Sequence, residues 1–318
     1  MAGLLLLPAA TLCASDRRVN LIPKLQPSQT ITYLIRFQSD KTVKTESKVV
    51  APMGPNAAHV DANGLLRVEI LGVQETGNKT VVHARAQFLT LGYGVSSKMK
   101  GDTKPKGESL SAHPAGKFVE FTISPDGSVN NPNGLDSLLP EQQQAWQQWA
   151  ARFALAWTLP ANGMKSGEKW VWQQAEQSRS PIAGLNWERQ SIYVKNEPCQ
   201  ASHLSITGEV SRSNTPSDTC AVLLTTAKLR QKSSSKDATP EDFKLHELRT
   251  MGTAKGANEI ITYVSLKSGL VVRATEETSQ FMDVIVAQAD GSNRVHYNVD
   301  AKSHSEVLLI TETPLNHP

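Results

Sequence analysis

The sequence predicts a mainly β protein with one long helix, and three observations carry that reading. Apolar and polar residues alternate in short runs along most of the 318 residues, the period-two pattern of half-buried strands. Clusters of Gly, Pro, Asn, Asp and Ser separate the runs at short intervals, as in antiparallel meanders. One stretch breaks the rhythm: apolar residues fall at Leu135, Leu138/Leu139, Trp146, Trp149, Phe153 and Trp157. Gaps of three, four or seven gather them on one helical face. The expected architecture is a large curved antiparallel sheet, or two abutting half-barrels, covered by that helix. It forms a single β-rich domain over 29–313, with a first arm 29–133, a central helix 134–158 and a second arm 159–313.

The elements follow in order. Residues 1–15, beginning MAGLLLLPAATLCA, form an apolar run too short to span a bilayer, which needs about 20 residues. They fit the hydrophobic region and cleavage zone of a signal peptide, although no Lys or Arg precedes Leu4. Residues 16–28, with Pro23 and Pro27, read as a linker. Ile31, Tyr33, Ile35 and Phe37 alternate with polar neighbours, and Val43 to Ala51 is the expected partner strand. Pro52 to Asn63 interrupts the pattern. Leu66, Val68 and Ile70 then pair across the Glu75–Asn78 turn with Val82, Ala84, Ala86 and Phe88, the clearest hairpin of the first arm. Gly92 to Gly116 reads as loop, and Val119, Phe121 and Ile123 as a short strand before Ser124-Pro125-Asp126-Gly127.

The helix is expected to start with Asp136 or Ser137 as its cap and to end at Leu159-Pro160, since proline drives the preceding residue out of the α region. Past it, Trp170 and Trp172 share one side of a strand. Further strands are expected over Trp187–Val194, Thr219–Leu229, Glu259–Leu266, Leu270–Thr278, Phe281–Ala287, Arg294–Ala301 and Val307–Thr311. Ser233 to Asp242 reads as an exposed polar loop.

Composition narrows the function classes. With 33 Lys+Arg against 30 Asp+Glu and no basic cluster, the chain lacks the footprint of a nucleic-acid binder. If Cys13 leaves with the signal, Cys199 and Cys220 remain as a disulfide pair or as two thiols. A bridge would persist only in an oxidising compartment, which fits an exported, periplasmic or secreted protein. No Cys-x-x-Cys, His-x-x-x-His, Gly-x-Ser-x-Gly or glycine-rich phosphate loop occurs, so no metal, cofactor or catalytic residue is expected. Glu276 and Glu277 point to opposite sheet faces and cannot share a substrate.

Leu159-Pro160, Met164, Gly167-Glu168 and Trp170 resemble a Leu-Pro…Gly-Asp-x-Trp signature of uncharacterised exported bacterial β proteins, with Glu168 where Asp is commoner. Ser265 to Val272 (SLKSGLVV) matches a later turn of the same layout. Such proteins are similar in topology to envelope lipid and lipoprotein carrier half-barrels. The resemblance implies an exported, ligand-holding, non-enzymatic role and carries no catalytic residue.

All six tryptophans lie between Trp146 and Trp187. Trp149, Phe153, Trp170 and Trp172, with Tyr33 and Phe121, are the candidate lining of an apolar or lipid-ligand pocket between sheet and helix. They are equally ordinary core rings. Two functional readings therefore stay open: a holder of an apolar ligand, or a structural or interaction protein of the envelope with a solid aromatic core and a protein partner. A pocket of roughly 300 Å³ or more separates them.

Overall fold

A computed structural model describes residues 18–46, 56–76, 79–99, 106–112, 117–124, 129–138, 143, 146, 160, 162–176, 180–200, 202–204, 210–212 and 218–310. The first arm supplies β1 (Thr30–Glu46), β2 (Ala57–Thr76), β3 (Lys79–Lys98), β4 (Lys106–Ala112), β5 (Val119–Ile123) and β6 (Val129–Asn133). The second supplies β7 (Lys169–Ala175), β8 (Leu185–Pro198), β9 (Ser202–Leu204), β10 (Val210–Arg212), β11 (Thr219–Gln231), β12 (Leu248–Ser265), β13 (Val271–Gln288) and β14 (Val295–Ile310). All belong to one 14-stranded sheet, whose main path runs β6-β5-β3-β2-β1-β14-β13-β12-β11-β8-β7.

The two arms are therefore one sheet, joined where β1 pairs with β14 from Thr32↔Ile310 to Glu46↔His296. Its path does not close: β6 and β7 end it. The pairings along the path are antiparallel, as the meander pattern predicts, and the expected hairpin forms with Val68 opposite Ala86.

The strands are longer than the alternation suggests, and several expected runs merge. Ile31–Phe37 and the run from Val43 belong to the single β1. Leu270–Thr278 and Phe281–Ala287 are one strand, as are Arg294–Ala301 and Val307–Ile310. The cause is a row of polar residues that cross-strand pairing lines up: Ser39, Ser303, Thr278 and Asn258 are successive partners. Where this row crosses a strand, both faces are polar and the alternation vanishes, although the ladder continues. Pairing likewise extends β2 back to Ala57 and β3 on to Lys98, so the loops expected over 52–63 and 92–116 are partly strand. Tyr93 and Val95 there stand opposite Ala62 and Val60.

One face of the sheet, here the core face, carries three apolar clusters. The first gathers Tyr33, Leu66, Val68, Phe121 and Trp146 in the first arm; the second centres on Trp187, Leu229, Met282 and Val284; the third on Met164, Tyr193, Leu223 and Val264. Each fully buried side chain of this size contributes about 1.5–3 kcal/mol. Among the described residues, the reverse face has smaller buried apolar clusters at Leu34, Leu308 and Ile310 and around Val272.

Residues 16–28 are not a free linker in their described part. From Arg18 on, the segment lies against the sheet: Val19 exchanges backbone hydrogen bonds with Met164 at 2.8 and 2.9 Å, and Lys24 N–H donates to the Ser268 carbonyl at 2.9 Å. Leu21 is only 2% exposed. The buried face of this short strip is too brief to show as a period. Both signature turns hold it. Gly269 has φ +71°, and a Cβ there would come within 2.5 Å of the Ile22 carbonyl oxygen. Glu168 accepts from the Lys165 N–H at 2.9 Å and pairs with Arg18 at 2.6 Å. Gly269→Ala is expected to cost about 2 kcal/mol through strain and displacement of the strip, read as a lower denaturant midpoint. An unchanged midpoint would show that the strip does not press on that turn.

The central helix does not start at 134. Leu135–Ser137 form a 3-10 turn with no side-chain cap, and Leu138 is extended at φ −88°, ψ 151°. Neither Asp136 nor Ser137 caps it; the Ser137 hydroxyl instead donates back to the Gly134 carbonyl at 2.7 Å. Gln143 and Trp146 are helical, and the rest of 139–159 lies outside the described residues. Gln143 Nε2 donates to the Leu135 and Leu138 carbonyls at 3.1 and 3.2 Å, satisfying the turn from its far side. A second, short helix spans Glu241–Leu245. It lies at the end of the stretch read as an exposed loop, where Ala238 and Thr239 are buried.

Candidate functional site

The row that erases the alternation is also the most polar part of the core face. It continues from Asn258 through Ala227 and Arg189 to Trp172. Arg189 donates to Asn258 Oδ1 at 3.2 Å, and Asn258 Nδ2 donates to Thr278 Oγ1 at 2.8 Å and to Glu276 Oε1. The Arg189 guanidinium lies 5.2 Å from the Trp172 ring centroid and 5.7 Å from that of Trp187. Arg189, Asn258 and Glu276 are each 5% exposed, so charge is held in the sheet by hydrogen bonds and ring faces. As alternation demands, Glu276 is buried while Glu277 faces outward, 2.6 Å from His304.

Beyond this row the core face turns apolar and opens into a cavity of about 720 Å³, in the class of small-molecule sites. Val43, Met282, Val284, Tyr297 and Val299 form its wall on β1, β13 and β14, and Ala58 and Ala301 leave space beside them. Pro181, Phe243 of the short helix and Leu248 close it from above. Phe243 also separates it from a smaller cleft of about 390 Å³ that includes Asp242 and His246. Among the described residues, the polar groups of the main cavity are Lys41, Gln280 and Tyr297, and no carboxylate lines it. Burial raises the Tyr297 phenol above its ordinary pKa. Gln280 Nε2 donates to Glu176 Oε2 at 3.0 Å, the atom that also accepts from Trp187 Nε1 at 2.7 Å. That shared acceptor couples the cavity rim to an indole.

The four described aromatic residues singled out by sequence do not line the cavity. Tyr33 and Phe121 belong to the first-arm cluster, where Phe121 meets Trp146 edge to face at 5.1 Å. Burial alone drives the Tyr33 phenol far above its usual pKa. Trp170 packs on the third cluster, and Trp172 donates to Ser191 Oγ at 3.3 Å beside Arg189. Trp149 and Phe153 lie outside the described residues. Sequence reasoning did not single out Met282, Tyr297, Val299 and Phe243. Their signal was present as alternation at 282/284/286 and 295/297/299, without the tryptophans that drew attention elsewhere.

Cys199 and Cys220 form a disulfide with Cα atoms 5.0 Å apart. Among the described residues no cluster of His, Cys, Asp and Glu could hold a metal ion, and no helix is long and apolar enough to cross a membrane.

The reverse face carries paired charges. His296 Nε2 lies 2.7 Å from Asp283 and Nδ1 3.6 Å from Glu46. The hydrogen bond to Asp283, then the neighbouring carboxylate charges, raise the His296 pKa above 6.5. A raised folded-state value favours the protonated form, so its contribution is complete below the unfolded pKa and disappears as pH rises through the folded one. His296→Gln is expected to lower stability at about pH 5.5 and to leave it unchanged at about pH 9. Equal losses at both would contradict the pairing.

No family model matches the chain, and no curated protein does. Among solved structures it is similar to OccK7 (OpdD) of Pseudomonas aeruginosa, at 7% identity and TM-score 0.23, over 88% of this chain and 99% of that one. It is also similar to the CymD monoaromatic hydrocarbon channel, at 9% identity and TM-score 0.15, over 91% and 90%. Likeness at these scores carries no argument about fold or role.

Proposed function

We infer that this is an exported, non-enzymatic protein that holds an apolar or lipid-like ligand against its sheet. The observation that carries the reading is the cavity of about 720 Å³ between Met282, Val299 and Phe243, more than twice the roughly 300 Å³ that marks the lower end of ligand sites. Its wall is apolar, with titratable groups among the described residues only at Lys41 and Tyr297; catalytic clefts bring several such groups together. The Cys199–Cys220 bridge supports residence outside a reducing cytosol. The resemblance to exported β proteins at Gly167-Glu168-x-Trp170 points the same way.

Titration with fatty alcohols of increasing length, followed by tryptophan emission, tests the reading. Trp187 shares a packed cluster with Met282 and Val284, so occupancy should move its emission. Each buried methylene is worth about 0.8 kcal/mol, so each added carbon should tighten binding about fourfold until the cavity is full. Val299→Phe and Ala301→Phe fill the space and should abolish the response while leaving thermal unfolding in place. Saturable binding that ignores both substitutions would put the ligand elsewhere, and no binding at any length would refute the reading.

A further inference from the structure

We propose that the ligand is a single-chain anionic amphiphile, its acidic head at Lys41 and its chain running along Val43, Val299 and Met282 toward Phe243. This deepens the apolar-ligand reading and rests on it. Lys41 projects from β1 onto the cavity face, where it is an exposed member of the lining. Both of its cross-strand neighbours are alanine, Ala58 on β2 and Ala301 on β14. The ammonium is thus flanked by open space. Lys41 makes no ion pair or hydrogen bond among the described residues, and no Asp or Glu lines the cavity.

A lysine that serves folding alone is usually paired, or lays its stem on apolar surface with its ammonium in open solvent. Here one uncompensated positive charge stands at the edge of an apolar chamber. The next row of the sheet toward the polar belt presents Ser39 and Ser303, which are cross-strand partners of each other. Ammonium and hydroxyls along one edge, with methyl and thioether groups beyond, match an acidic head on an alkyl tail. A cationic amphiphile would meet Lys41 with like charge, and a neutral one would leave it unused. Lysine acts as a point charge on a flexible stem, so carboxylate and phosphate monoester heads share the required chemistry.

Four lauryl probes separate the possibilities by calorimetry at low salt: laurate, lauryl phosphate, lauryl alcohol and lauryltrimethylammonium. The two anions should bind the wild-type protein about tenfold tighter than the alcohol, and the trimethylammonium weakest. That preference should shrink as ionic strength rises. Lys41→Met should reduce the anions to the affinity of the alcohol without changing the alcohol's own, and Lys41→Arg should keep most of the preference. A larger gain for lauryl phosphate than for laurate assigns a phosphate head, and the reverse assigns a carboxylate. Equal affinity for all four probes would overturn the head-group assignment while the apolar-ligand reading stands. An anion preference that survives Lys41→Met would overturn the role of Lys41. Failure of all four to bind would overturn the apolar-ligand reading itself.

Discussion

Replacing Asn258 by leucine is expected to lower the stability of the protein by about 3–5 kcal/mol, the largest loss from any single substitution considered. Leucine keeps asparagine's branched heavy-atom skeleton, so the change falls mainly on the hydrogen bonding. What goes is the amide that takes a hydrogen bond from Arg189 at 3.2 Å and gives others to Thr278 and Glu276. Hydrogen bonds to charged groups are worth about 1.5–3 kcal/mol each, and two are removed at once. Both charged partners are 5% exposed, so water cannot readily replace the amide. Thr278 still donates to Glu276 at 3.2 Å, which keeps the loss from being larger. Urea unfolding should show the drop as a lower midpoint at unchanged slope. A change below about 1 kcal/mol would mean that Asn258 does not link the two charges.

Removing the disulfide comes next. Cys199 and Cys220 are separated by 21 positions, and closing a loop of that size restricts the unfolded chain by about 3 kcal/mol. Paired Cys→Ala substitution should lower stability by about that amount. Both cysteines are buried and pack with Val272, so alanine also leaves a small gap against the reverse face. Adding reductant to the native protein should approach the same midpoint. If neither treatment moves it, the bridge does not constrain the fold.

How far the sequence carries depends on which faces are polar. Where one face is apolar and the other wet, as in Val82–Phe88 or Leu66–Ile70, alternation located the strands and their pairing. It lost them where β1, β13 and β14 cross the row of Ser39, Ser303 and Thr278, because the core face is itself polar there. The step Ser279-Gln280 after Thr278 then reads as a break, though its backbone pairs residue by residue with β12 and β14. The same blindness cut off the cavity wall, since Val43, Met282 and Val299 fall in runs detached from the rest of β1, β13 and β14. That they face one chamber follows from the register Met282↔Val299 and Val43↔Val299, which no local window contains. Tryptophan content, meanwhile, pointed to the densest packing. Trp146 and Trp187 are 3% and 5% exposed, and filled core is where large rings leave least room for a guest.

The disulfide was legible because two of the three cysteines lie beyond the first 15 residues, and because each adjoins a strand. The packed strip from Arg18 was not, since its partners are the distant turns at Met164 and Ser268. A short segment that touches nothing near it in sequence leaves no periodic trace.

Organic extraction of the protein from its own cells, with mass spectrometry of the extract beside that of the Ala301→Phe variant, tests the central claim most directly. The wild-type protein should release an alkyl-chain compound in near-stoichiometric amount, and the filled-cavity variant should release little. Equal yields from the two, or no apolar compound from a wild-type protein that also ignores added lauryl probes, would contradict a ligand chamber at Met282 and Val299.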